Sequence, residues 1–321
     1  MKLYPLQFQP EMKERVWGGR NLERFGYSLP AGSIGEAWTI SEHPHGMTKV
    51  INGVLHGWGL DQVREHYREM VFGHKGLSPK TGRFPLLVKL LDCEDDLSIQ
   101  VHPSDDDHRL TTNELGKSEM WYVIDAKPGA KIIFGLKDGT TQVQLRQAIE
   151  EDRILEVMNH VEVCAGDAFY IPAGTVHALG AGILLAEIQQ NSDTTYRLYD
   201  YHRLGLDGKP RALHIEDSLE VIQFEGTTAT KRTTELSRPN EWLTIAESPY
   251  FKVEKGAVHD KWELTTTADS FIILIITKGE GQLIWDSQSI IAHAGDCFLL
   301  PAQLGSYILA GQMTVIQSYI P

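Results

Sequence analysis

Short apolar runs bounded by turn residues dominate the chain. Stretches of four to seven apolar or alternating residues between Gly, Pro, Asp and Asn outnumber long periodic patterns, which predicts an all-β core. Three stretches depart from this. Leu60 to Phe72 carries Leu60, Val63, Tyr67 and Val71 at helical spacing. Val143 to Met158 carries Leu145, Ile149, Leu155 and Met158, and Ile215, Leu219 and Ile222 mark a third such face. These predict helices added to sheets. Gly226 to Asn240, GTTATKRTTELSRPN, is polar and lacks apolar periodicity, so it reads as a linker or long surface loop.

The run LSIQVHP at 97–103 alternates. Leu97, Ile99 and Val101 share one face of an extended strand and Ser98, Gln100 and His102 the other, so the first reads as core and the second as the wall of a polar cavity. Pro103 and the acidic residues after it end the strand in a loop.

An internal repeat decides the architecture. AGDAFYIPA at 165–173 returns as AGDCFLLPA at 294–302, an offset of 129 residues. Each copy follows a strand-like stretch with a Lys and Gly turn, KPGAKIIFG and KGEGQLIWD. Two copies of a small β unit, each with a tight turn, a short buried strand and a further turn, are the economical explanation.

Composition narrows the function. At 321 residues the chain exceeds one ordinary core, and 42% hydrophobic with 23% charged residues is usual for a soluble globular protein. The longest apolar segments, FIILII and GILLA, are too short to span a bilayer, and no cationic leader opens the chain, so a cytoplasmic protein without membrane partners is expected. A net charge of −13 works against nucleic-acid binding. Cys93, Cys164 and Cys297 are far apart and show no CxxC spacing, which argues against disulfides and Cys-ligated zinc.

GDAFYIPAGTVHAL, continuing the first repeat, resembles the second motif of the cupin superfamily: Gly166, Asp167, Pro172, Gly174 and His177 match it position by position. The family's first motif, His-x-His followed by Glu, stands here as Gln100, His102 and, after a 16-residue interruption, Glu119. In the second copy Ser306 takes the place of His177. QVHP, GKSEMWY, GDAFYIPAGTVHAL and EIQQNSDTTYRLYDY, in that order, with FPLLVKLLDCEDDLSIQVHP and GEAWTIS, are similar to the type I mannose-6-phosphate isomerases in their short bacterial form, over nearly the whole chain.

The resemblance implies a mainly β fold of two cupin-like jelly-roll barrels, with the helices near the N-terminal one. Residues 1–225 would form the catalytic cupin domain, about 226–240 the linker, and 241–321 a cupin-like domain without metal. It also implies one zinc per chain on Gln100, His102, Glu119 and His177. Two imidazoles, a carboxylate and an amide oxygen suit zinc or another divalent first-row metal and leave room for a water or substrate oxygen. The amide favours Lewis-acid over oxygen chemistry, which sets an iron-dependent cupin oxygenase behind the isomerase reading, while the retained four-ligand set and Arg197 stand against a non-catalytic sugar-phosphate-binding cupin.

The implied reaction interconverts mannose 6-phosphate and fructose 6-phosphate through an enediol(ate). Glu187, a carboxylate within an apolar strand that needs a partner or metal, and Arg197, on a strand face with Thr195 and Tyr199, are placed in the active site by the resemblance. Glu187 is the candidate acid/base, with His102 and Lys117 as alternatives; a purely structural ion pair is its other reading. Arg197 and Lys117, the latter in the family's Lys-x-Glu stretch, are candidate cations for developing charge. Arg203 and Ser98, with Arg197, would meet the phosphate.

Overall fold

The computed structural model describes residues 2–225, 230–233, 236 and 238–321. Its described residues form strands in three sheets and three α-helices: α1 (Leu60–Phe72), α2 (Gln142–Glu150) and α3 (Ile215–Val221). No helix among them is long and apolar enough to cross a membrane. The fold is mainly β, as the short apolar runs predict.

The N-terminal unit is a sandwich. A five-stranded sheet runs in the order Met158–Glu162, Lys131–Leu136, His177–Leu179, Ile99–Val101, Tyr196–Tyr199. It faces an eight-stranded sheet built around Glu119–Ala126, Ile183–Gln190, Leu86–Cys93 and Ile34–His43. Pleating sorts each strand's residues. Ile99 and Val101 pack outward against Leu145 of α2 and Leu219 of α3, while Gln100 points into the sandwich, where it lines a cavity. Trp121 and Val123 join the inner core, whereas Met120, Tyr122 and Ile124 turn to a second core shared with the C-terminal unit. Leu97, just before its strand, departs from the expected face and packs in the inner core.

The repeated turn has a physical basis. Gly166 and Gly295 occupy equivalent positions with φ of 96° and 95°, a region that side chains with a Cβ disfavour. The following aspartate closes the turn in both copies: Asp167 accepts from the Cys164 N–H at 2.9 Å and Asp296 from the His293 N–H at 2.8 Å.

The C-terminal unit is one eight-stranded sheet dominated by Lys252–Thr265, Ile272–Trp285 and Ser306–Tyr319. Leu6–Gln9 also belongs to it, pairing antiparallel with Cys297–Leu300, so the first strand lies apart from the division read at 225 and 241. Part of the expected linker is likewise a strand: Thr230–Thr233 pairs with Asp167–Ile171. Residues 226–229, 234, 235 and 237 of that segment lie outside the described residues. The helix expected over 143–158 ends at Glu150, and Ile154–Val157 forms a separate 3₁₀ turn. α1 reaches both units: the Phe72 carbonyl accepts from the Phe271 N–H at 3.1 Å, and Phe72, Phe84 and Phe271 pack as an aromatic cluster.

Candidate active site and metal centre

A cavity of about 770 Å³ opens between the two N-terminal sheets. Gln100 and Arg197 reach it from the five-stranded sheet, and Glu36, Lys89, Trp121 and Glu187 from the eight-stranded one. Residues 205–214, between Tyr196–Tyr199 and α3, add Leu206, Arg211 and His214.

Beside Gln100 and Lys117, His102, Glu119 and His177 bring ligand atoms within 4.8 Å of one another, all buried. Register explains the grouping: His177 lies opposite Gln100 across adjacent strands, and Glu119 enters from the facing sheet. His102 Nδ1 donates to the Thr194 carbonyl and His177 Nδ1 to the Thr175 carbonyl, each at 2.9 Å. Both Nε2 lone pairs therefore turn inward, the arrangement that orients metal-binding imidazoles. Burial holds the His102 pKa well below the ordinary histidine value and lowers that of His177 despite the attraction of Glu119, so both rings are neutral donors at neutral pH.

Glu119 Oε1 and His177 Nε2 stand 3.3 Å apart, and neither has a hydrogen-bond partner. Two buried acceptors facing one another require a cation. Lys117 Nζ supplies one on one side, 2.7 Å from both His102 Nε2 and Glu119 Oε2. Burial opposes ionisation of Glu119, but the Lys117 ammonium, which also bonds it, outweighs this and holds its pKa below the usual carboxylate value. This donor set fits a divalent metal.

Glu187 lies in the cavity wall as half of a buried ion pair. Lys89 Nζ is 2.8 Å from its Oε2 and 2.6 Å from Gln189 Oε1, and the Trp121 indole donates to its Oε1 at 3.0 Å. Burial works against the Lys89 ammonium, but Glu187 and Glu36 outweigh it and raise its pKa. Glu36 accepts from Trp38 Nε1 at 2.6 Å and Arg15 Nε at 2.8 Å. Burial alone would raise its pKa, yet Lys89, Arg15 and these bonds bring it to about 2.

Ser98 and Arg197 meet as expected: the guanidinium donates from Nε to Ser98 Oγ at 3.2 Å and from Nη1 to the Ala212 carbonyl at 2.9 Å. Burial and Arg211 lower the Arg197 pKa. Arg203 is elsewhere. Its guanidinium is spent on Asp200 and the Asp96 carbonyl, and it does not line the cavity. Arg211 does, held by Asp200 at 2.7 Å. Lys89, Glu36, Trp38, Asp193 and Arg211 line the cavity beyond the residues singled out in the sequence. Lys89 carried the signal that exposed Glu187, a charge within an apolar strand (LLVKLL). Asp193, 2.5 Å from His45 at the cavity wall, carried none.

Known proteins resemble the chain throughout. The family described as phosphomannose isomerase type I, catalytic domain, matches residues 5–131, and the mannose-6-phosphate isomerase cupin domain matches residues 241–320. The chain is 40% identical to a mannose-6-phosphate isomerase of Bacillus subtilis over the full length of both, and 38% identical to that of Streptococcus mutans over 98% of each. The crystal structure of a Bacillus subtilis mannose 6-phosphate isomerase, 37% identical, superposes with a TM-score of 0.89 over 98% of this chain and 99% of the other.

Proposed function

Because the chain belongs to the type I phosphomannose isomerase family, we propose that it interconverts mannose 6-phosphate and fructose 6-phosphate in the cavity between its N-terminal sheets. The observation that carries this is the buried His102, Glu119 and His177 cluster beside a cavity walled by Lys89, Lys117, Arg197 and Arg211. Gln100, His102, Glu119 and His177 would hold one zinc ion, which supplies Lewis-acid polarisation of the sugar's oxygen atoms when bound.

The chain's own groups do the rest. Glu187 takes the proton from C2 and returns it at C1, a role typically worth ~10²–10⁴-fold. Lys89 and the Trp121 indole fix the carboxylate's orientation. Arg197 and Lys117 face the oxygen on which charge develops, in a largely desolvated site where such attraction is strong. Ser98, Arg197 and Arg211 meet the phosphate, with Arg211 in the place expected of Arg203. The protein is soluble and acts in the cytoplasm. The test is a coupled assay for fructose 6-phosphate formation with metal analysis of the same sample. Activity that rises with zinc content supports the reading; full turnover by metal-free protein refutes it.

A further inference from the structure

A second cavity, of about 260 Å³, opens in the C-terminal unit, apart from the candidate metal ligands. Tyr307 and Gln317 both line it, although ten residues separate them on the strand Ser306–Tyr319, roughly 33 Å if it were straight. The strand therefore curls round the cavity, and Tyr307, Gln317 and Tyr319, which share one face by alternation, reach it together. Thr265, also in the wall, pairs with Ser306, the residue that stands in this copy where the first has His177. Lys75 and Asp269, exposed at the rim, pair with each other at 3.4 Å.

Two polar atoms of this wall have no partner among the described residues. The Tyr307 side chain is buried, 1% exposed, and no protein group bonds its hydroxyl. Burial pushes its pKa up, so the hydroxyl keeps its proton and can donate. Gln317 is 6% exposed, and its amide is oriented from behind, with Nε2 donating to Glu254 Oε2 at 2.7 Å. A carboxylate oxygen accepts, so Gln317 Oε1 turns the other way, free to accept in its turn. Neither atom is sealed within protein, and both residues line the cavity, so a molecule there can complete them. An aromatic platform stands beside them. The rings of Trp242 and Trp262 stack with centroids 4.4 Å apart, and Trp242 is the one that lines the cavity, backed by its neighbour. The groups that wait for a partner are thus uncharged, and they flank a flat apolar surface. A ring with C–H bonds on its face and hydroxyls at its edge matches both. The volume lies just below the range of about 300–1,000 Å³ typical of drug-sized ligands, which suits one small ring.

We propose that this cavity binds one neutral pyranose, its C–H face against Trp242 and its hydroxyls on the Tyr307 hydroxyl and Gln317 Oε1. The C-terminal unit is then a sugar-binding module in its own right, and the bound ring stabilises it by mass action. The site is independent of the isomerase reading, since none of its groups touches the cavity between the N-terminal sheets.

D-glucose is the probe. In isotope-labelled full chain the magnetic resonance signal of the Trp242 indole N–H, assigned by its loss in Trp242→Phe, should move on titration with glucose, with a dissociation constant on the order of millimolar. Tyr307→Phe removes the hydroxyl and keeps the ring, so the fold is preserved. It should weaken glucose roughly two- to tenfold, the worth of one hydrogen bond. Cyclohexanol, a ring of similar size with a single hydroxyl, should move the signal far less, because a site built to bond hydroxyls rejects a ring that lacks them. Crystals soaked in glucose should show the sugar against Trp242, and Trp242→Ala, a change at a partly exposed position, should abolish it. Turnover of Tyr307→Phe and Trp242→Ala should stay near wild type. A Trp242 signal indifferent to glucose, an equal response to cyclohexanol, or unchanged affinity in Tyr307→Phe overturns the proposal.

Discussion

His177 Nε2 faces Glu119 Oε1 at 3.3 Å, and with Nδ1 donating to the Thr175 carbonyl a neutral ring turns a lone pair toward the carboxylate oxygen. That contact is tolerable when a cation lies against both. His177→Ala should therefore remove most bound metal. Ser306, the corresponding residue of the second repeat, is exposed at a strand start, and Ser306→Ala should leave one metal per chain. Elemental analysis of purified protein decides, and two metals per wild-type chain would contradict the asymmetry. Chelation should lower the melting temperature of wild type and leave that of His177→Ala almost unchanged.

Arg197 bridges Ser98 and the Ala212 carbonyl at the edge of the cavity. Arg197→Ala should reduce turnover by roughly 10²–10³-fold, as loss of a charge-stabilising donor does, with metal content retained. Arg197→Lys should recover only part, because an ammonium cannot reproduce a planar two-pronged donor. A raised Michaelis constant with unchanged turnover would instead confine Arg197 to ground-state phosphate binding, with no part in stabilising the developing charge.

Lys89 and Glu187 are both buried and 2.8 Å apart. Removing one partner of such a pair leaves an uncompensated charge, so Lys89→Met should destabilise the fold by about 3–5 kcal/mol. Lys89→Met with Glu187→Leu should restore much of that stability and remain inactive. Denaturant titrations of the single and double variants measure the coupling, and activity in the double variant would assign the pair a structural role only.

Glu36 has a folded-state pKa of about 2 against an ordinary 4.5. A depressed carboxyl stabilises the fold fully above its unfolded value, and that contribution disappears as pH falls from about 4.5 towards 2. Glu36→Gln should therefore flatten the acid limb of the stability curve in that window and leave its shape above pH 6 unchanged. Urea midpoints across pH 2.5–7 test this; an unchanged acid limb would show that Glu36 does not contribute it.

Much of this architecture was legible because it rests on local rules. The turn at Gly166 and its copy at Gly295 are written in three adjacent residues, and the apolar spacing from Leu60 gives the bounds of α1, although not the kink at Arg68, whose φ is 32°. The alternation through Ser98, Gln100 and His102 likewise named one wall of the cavity. What escaped depends on distant partners. Asp200 stands three residues before Arg203, but nothing in the chain there shows that the Asp96 carbonyl, 107 residues away, holds the same guanidinium, nor that Arg211 reaches the cavity in its stead. Glu36 became visible as a cavity residue only when its strand was set beside that of Lys89.

The pairing of Leu6–Gln9 with Cys297–Leu300 bears on the order of events during synthesis. A ribosome delivers Leu6–Gln9 about 290 residues before their partners, so this edge stays unmatched while all the intervening chain is made. Closing so long a loop is entropically slow and leaves an open strand edge exposed to other chains meanwhile. The sandwich around His102, Glu119 and His177 needs no such wait, since its strands all emerge before residue 234. The nascent chain can thus assemble its N-terminal sandwich early and capture Leu6–Gln9 only once Cys297–Leu300 has emerged.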